Sequence, residues 1–208
     1  MMKIDSVASQ PDRAGRYTIR FEDASILRLY RQTVEDFGLY SGKELDEIEF
    51  SRLKKAAGEM SAKMRAVRIV SASNVSKGDL EYRLIHKGEN PEDAYKAVAW
   101  MTEMDLLDDR KTAEQIVHRC IAKGYGLNRA KQALYEKRIP KHYWQEVLED
   151  YPDQTDAIAD FLRNRLGESR DDKQMRKAVD ALIRRGHNYG DIRAAMRQLE
   201  LHDEYLED

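Results

Sequence analysis

The residues best placed for chemistry in this chain are cations, and the chemistry they suit is the binding of anions. LIHKG at 84–88, LYEKR at 134–138 and LIRRG at 182–186 each set one or two bases just after a leucine and a second bulky residue, at intervals of 50 and 48 residues. An arginine fork or a lysine ammonium at such a place can grip a phosphate or a carboxylate. With the nearby run Lys173, Arg176 and Lys177 and the pair Arg163 and Arg165, the candidate binding residues are Lys87, Lys137, Arg138, Arg163, Arg165, Lys173, Arg176, Lys177, Arg184 and Arg185. The plainer reading of each is a solvent-facing partner for the negative end of a helix dipole, worth about a few tenths of a kcal/mol.

Other chemistries find less support. The five histidines, His86, His118, His142, His187 and His202, are scattered, with no H-E-x-x-H and no cysteine pair at zinc spacing, so no metal site is expected. Cys120 falls on the apolar face of a helix and reads as a small buried residue rather than a nucleophile. Gly124-Tyr125-Gly126 has neither a preceding strand nor a following G-K-[ST], so it is no phosphate-binding loop. Asp108 and Asp109 directly precede a helical pattern and serve as N-cap and first-turn acid. No catalytic residue is assigned, no cofactor is expected, and the protein is read as not an enzyme. Most of the aromatic residues lie on or beside apolar stripes, but Tyr125 and Tyr189, each beside a glycine, are expected to be exposed.

Helices must position these cations. From about Leu45 the apolar residues Phe50, Leu53, Ala57, Met60, Met64, Val67 and Val70 recur at steps of three and four, predicting one long helix that ends near Ser71 to Ser76. Ser76 then caps a helix over 77–87, Gly88 closes it, and Pro91 opens the next. The same cycle recurs through Ala113 to Gly124, Leu127 to Leu134 and the segment after Pro140, and again from Ile158 to Leu199. The three cationic segments are thus the ends of the middle helix in three copies of a three-helix unit. Arg138 stands where the other copies have glycine, so that cap is expected to use another geometry.

The fold class expected is all-α: three tandem three-helix repeats stacked in an elongated and curved array, since one such unit buries too little surface alone. The boundaries are a flexible arm over 1–16, a small extension over 17–45, repeats over 46–107, 108–151 and 152–201, and an acidic tail over 202–208. In the extension, YTIRF at 17–21 alternates and ILRLY at 26–30 follows, which reads as a hairpin or as a strand leading into a helix; a helix over 26–37 fits as well.

Composition agrees with that class. Charged residues make up 36% of the 208 and hydrophobic ones 41%, with only 4 prolines, which favours a solvated helical protein. One cysteine fits a reducing compartment, and neither a signal peptide nor an apolar run of membrane length is apparent, so a cytoplasmic protein without membrane contact is expected. The net charge of −2 hides basic stretches over 51–90 and 163–197, compatible with a polyanionic partner.

The order of SNVSKGDLEYRLIHKG at 73–88, LLDDRKTAEQIVHRCIAKGYGLNRAKQALYEKRIP at 106–140 and MRKAVDALIRRGHNYGDI at 175–192 resembles the RecX regulatory proteins, modulators of the RecA recombinase. The middle stretch is the most specific, and the likeness covers roughly residues 60 to 200. The resemblance implies tandem three-helix repeats and a non-enzymatic monomer. It further implies binding to RecA in the groove of its filament on single-stranded DNA, limited filament growth and RecA-dependent activities, and weak direct DNA binding. The alternative from the residues is a stand-alone DNA-binding protein that uses its three-helix units in the manner of helix-turn-helix domains.

Overall fold

The computed structural model describes residues 1–167 and 171–201. It is mainly helical, with four strands near the N-terminus and ten α-helices among the described residues. The expected acidic tail over 202–208 lies outside them. The chain forms two compact units, Met1–Leu107 and Asp108–Asp208.

The first unit opens with an antiparallel sheet in the order β3-β2-β1-β4, built from β1 (Met2–Val7), β2 (Arg16–Phe21), β3 (Ile26–Tyr30) and β4 (Glu44–Leu45). The first part of the expected flexible arm is therefore a strand. Its alternation is hidden in the sequence because a register shift between Ile4 and Ser6 puts Val7 out of phase with Met2 and Ile4. β2 and β3 form the hairpin, and the helical pattern beyond them is short: α1 spans only Arg31–Asp36. Ile4, Ile19, Phe21 and Leu29 turn inward onto Leu39, Leu45 and Leu53.

The link between that sheet and the helices is α2 (Glu47–Ala72), about 39 Å long at 1.5 Å per residue. Its start is fixed by a capping box in which Asp46 accepts from the Glu49 N–H and Glu49 accepts from the Asp46 N–H. The single expected stripe is in fact two faces. Phe50, Leu53 and Ala57 serve the sheet, whereas Ala62 and Ala66 are fully buried against α3 (Lys77–His86) and α4 (Pro91–Glu103). Small residues dominate the second face because α4 comes close: a Cβ on Gly58 would lie 2.5 Å from an Asp93 carboxylate oxygen. Ser76 and Asn90 cap α3 and α4 as their types dictate, and Pro91 occupies the first turn.

The second unit holds two helical groups. α5 (Asp109–Ala122), α6 (Leu127–Glu136), a 3-10 turn at Lys141–Tyr143 and α7 (Trp144–Leu148) enclose Ala113, Val117, Leu134 and Ile139. The Trp144 indole donates to the Ile139 carbonyl at 3.0 Å, and the Tyr151 hydroxyl donates to the Tyr125 carbonyl at 2.6 Å. α8 (Thr155–Leu166), α9 (Asp172–Arg184) and α10 (Tyr189–Gln198) close over Ile158, Leu162, Leu182, Ile192 and Met196.

These two groups are joined by backbone. The Gly126 N–H donates to the Arg185 carbonyl at 2.9 Å, and the Asn128 N–H donates to the Gly186 carbonyl at 3.1 Å. α6 has no side-chain cap, since Gly126 holds the N-cap position, so the turn after α9 supplies the acceptor that a serine or aspartate would otherwise provide. The approach leaves no space for side chains. A Cβ on Gly126 would strike the Gly186 carbonyl, and one on Gly186 would strike the Arg129 backbone nitrogen. Beside this pair His187 is 4% exposed and its Nε2–H donates to the Gly124 carbonyl at 3.2 Å; a carbonyl can only accept, so Nε2 carries the proton.

Two outcomes are expected. Gly186→Ala should lower stability by about 3 kcal/mol through this clash, whereas Gly88→Ala, also at positive φ but with open space around its Cβ, should cost only about 1 kcal/mol; urea unfolding of both variants measures the difference. Burial holds the His187 pKa below its ordinary 6.5, with Arg185 pushing the same way and Asp191 and the Gly124 carbonyl opposing. Below pH 6.5 the unfolded chain therefore takes up a proton that the folded one resists, so stability falls as pH drops through 6.5 toward the lowered folded value. Melting temperatures across that window should decline less for His187→Gln than for the parent protein.

Candidate anion-binding surface

The cationic segments share one backbone design. α3, α6 and α9 each end in a Schellman motif: the residue after the C-cap takes a left-handed conformation and its N–H bonds back to a carbonyl three residues earlier, while the next N–H reaches five residues back. The pairs are Gly88 to Ile85 and Glu89 to Leu84, Arg138 to Tyr135 and Ile139 to Leu134, Gly186 to Ile183 and His187 to Leu182, all at 2.8 to 3.2 Å. The residue that closes each motif is buried and fastens it. Glu89 pairs with Arg65 and accepts from Ser61, Ile139 enters the core, and His187 holds Gly124. The base before or at the left-handed residue is thereby held at the helix end.

Arg138 departs from expectation. It adopts the same left-handed turn as the glycines, with φ of 53°, where a side chain is disfavoured by about 1 kcal/mol or more. There it lines a cavity of about 450 Å³ together with Tyr135, Glu136, Ile139, Pro140, Lys141 and Trp144. Tyr135 is 72% exposed beside it.

The ten predicted residues fall in three places. Lys87 is at the end of α3 in the first unit; Lys137 and Arg138 are at the end of α6; the other seven are on α8 and α9. Lys173, Arg176 and Lys177 lie on the exposed side of α9, opposite buried Met175, Ala178, Val179 and Leu182. Arg184 follows on the same side, while the Arg185 guanidinium turns onto the Phe161 ring of α8 at 4.9 Å from its centroid. Arg163 bridges Asp160 on its own helix, and Arg165 is exposed on the last turn of α8. Lys137 is half-buried and the other nine are exposed.

Arg65, Arg68 and Arg83, members of the basic stretch over 51–90, converge with Lys87 on one cavity of about 320 Å³ between α2 and α3. The usable signal was their spacing, Arg65 and Arg68 at i, i+3 and Arg83 and Lys87 at i, i+4, which puts each pair on one helix face. Tyr125, expected to be exposed, is half-buried under Lys123, whereas Tyr189 is 51% exposed. Burial pushes the Cys120 thiol pKa up, the opposite of what a nucleophile needs. Among the described residues, no group of three or more His, Cys, Asp or Glu could hold a metal ion, and no helix is long and apolar enough to cross a membrane.

Fold and surface together define a protein of three-helix groups in which α3, α6 and α9 end in exposed bases. The sequence profile of the RecX second three-helix domain matches residues 108–148. Regulatory protein RecX of Stenotrophomonas maltophilia (strain R551-3) is 31% identical over 147 residues, 69% of this chain and 90% of its own length. That of Clostridium perfringens (strain SM101 / Type A) is 23% identical over 214 residues and covers both chains in full. A crystal structure of a regulatory protein RecX superposes with a TM-score of 0.63 at 18% identity, covering 96% of this chain and 99% of the other; RecX from Lactobacillus salivarius gives 0.58 at 19% identity, over 70% and 98%. The chain belongs to the RecX family of regulatory proteins.

If Arg138 is kept in its strained turn for its charge, Arg138→Gly should raise stability by about 0.5–1 kcal/mol in urea unfolding while weakening binding to a polyanionic partner.

Proposed function

We propose that this protein binds the RecA recombinase and its filament on single-stranded DNA, and restrains filament growth together with RecA-dependent recombination, ATP hydrolysis and co-protease activity. The observation that carries this reading is the 31% identity to a regulatory protein RecX over 90% of that protein's length. The exposed cations at the ends of α3, α6 and α9 support it, because a recurring positive helix end suits a repeating polyanionic assembly on which individually weak contacts add through effective concentration. The protein acts as a cytoplasmic monomer, by binding and without catalysis. The ten cations form the contact surface, in repeats over 46–107, 108–151 and 152–201.

Added to RecA on single-stranded DNA, the purified protein should slow ATP hydrolysis and shorten filaments in a dose-dependent way. No change at an excess sufficient to cover the filament rules the reading out. Tight, steeply salt-dependent binding to bare duplex DNA, with no preference for RecA-coated strands, would favour a stand-alone DNA-binding protein instead. Reversing Arg184 and Arg185 to glutamate should weaken filament binding about tenfold at unchanged far-ultraviolet circular dichroism, on the scale of two lost charge-assisted contacts.

A further inference from the structure

The cavity between α2 and α3 has features that a general basic surface does not. Its cations are Arg65, Arg68, Arg83 and Lys87. Two of them are held in place from behind. Arg65 pairs with Glu89, and Arg83 meets Asp79 at 3.0 Å and the Ser73 hydroxyl at 3.3 Å; both carboxylates belong to buried residues, at 9% and 7% exposure. An arginine fixed by one edge keeps its remaining N–H groups in a set plane, which is the arrangement that recognises an oxyanion. The other two make no ion pair with a carboxylate among the described residues. Arg68 donates to the Tyr30 hydroxyl at 2.8 Å and to the Met64 carbonyl at 3.1 Å, and Lys87 makes no ion pair among the described residues. Four cations against two carboxylates leave the cavity with a surplus of two positive charges.

Beside this cavity lies an aromatic step. Tyr82 and His86 sit one turn apart on α3, their rings nearly parallel at 9° with centroids 5.7 Å apart. Tyr82 is 48% exposed and His86 is exposed too. Each precedes a cavity residue by one position, Tyr82 before Arg83 and His86 before Lys87, so the rings stand about 100° around the helix from the cations. Charge alone would suit an acidic protein segment as well as a nucleic acid. A flat aromatic pair alongside has no use for a carboxylate, but it matches a polymer that alternates an anionic linkage with a planar base.

We infer that this face of the first unit is a seat for a single nucleic-acid strand: Arg65, Arg68, Arg83 and Lys87 hold the phosphodiester backbone and the Tyr82–His86 pair stacks a base. The inference goes beyond binding to a recombinase and does not depend on it, so the test contains none. Fluorescence anisotropy of a labelled oligothymidylate with the full chain, titrated over a range of salt, reads both halves of the seat. Replacing the two cations without carboxylate partners, Arg68→Gln with Lys87→Ala, should weaken binding about tenfold and reduce the slope of log K against log salt by roughly 1.4, at about 0.7 per phosphate contact. Tyr82→Ala with His86→Ala should weaken binding about tenfold with the slope unchanged, because stacking releases no counterions, and Tyr82→Phe with His86→Phe should restore it. The seat is absent if either weakening pair, folded as judged by an unaltered melting temperature, binds the oligonucleotide like the parent.

Discussion

The architecture of the second unit depends on two glycine turns meeting with no side chain between them. Gly126 donates to Arg185 and the Gly186 carbonyl caps α6, so each turn completes the backbone hydrogen bonding of the other. Inside a packed core this arrangement has one solution, because an unpaired buried N–H costs more than the bond itself contributes. The contact therefore fixes how the group containing α8, α9 and α10 meets the one before it. Everything that the α9 end displays, Arg184 and Arg185 included, is referred to the α6 start by backbone rather than by adaptable side chains. His187 adds the third connection, and the burial that holds its pKa down keeps it an uncharged donor.

The same helix ending does different work in each group. Gly88, Arg138 and Gly186 share a left-handed backbone and a double carbonyl return, yet their surroundings are unlike. Gly88 needs glycine for conformation alone, Gly186 needs it for conformation and for space, and Arg138 takes up the same left-handed backbone at φ 53° with a side chain attached. A repeated motif can therefore hold its backbone constant while the residue at one position is constrained by packing in one copy and carries a charged side chain in another.

Much of this was open to reading from the sequence, and the boundary of what was legible is physical. Ser76, Asp108, Pro91 and Gly88 act on neighbours within four residues, so their roles follow from type and spacing, and all four sit as expected. β1, the α6 cap and the basic cavity escape a local reading because they are matters of long range or of broken period. β1 was missed because a bulge shifts its alternation and because its partners are as far along the chain as Leu45. The cap on α6 comes from a residue 60 positions away, at Gly186, which no local rule anticipates. Arg138 was expected to impose a new geometry since propensity disfavours it in the left-handed region, but the surrounding turn over-determines the backbone and the residue yields. The basic cavity went unrecognised for the same reason as β1: its two halves belong to different helices, and only packing brings Arg65 and Arg68 to Arg83 and Lys87.

The distribution of charge follows from the helices. A chain with a formal charge of −2 would not be expected to offer positive surfaces, but the helices sort its charges. Acids gather at helix starts, as Glu47 and Glu49 do in α2, Glu92 and Asp93 in α4, and Asp172 in α9. Bases gather in last turns, as Arg119, Arg163, Arg165, Arg184 and Arg197 do. Each placement is favoured locally by the helix dipole, at about 0.3–1 kcal/mol, so the sorting needs no selection for binding. Recognition then requires only that a few of these bases escape pairing or be aimed by a carboxylate behind them. Glu89 and Asp79 do the aiming in the first unit: buried at the helix ends, they orient the arginines while leaving the outer face cationic. A cationic surface thus arises from the rules that stabilise short helices, with two of its arginines oriented by buried acids.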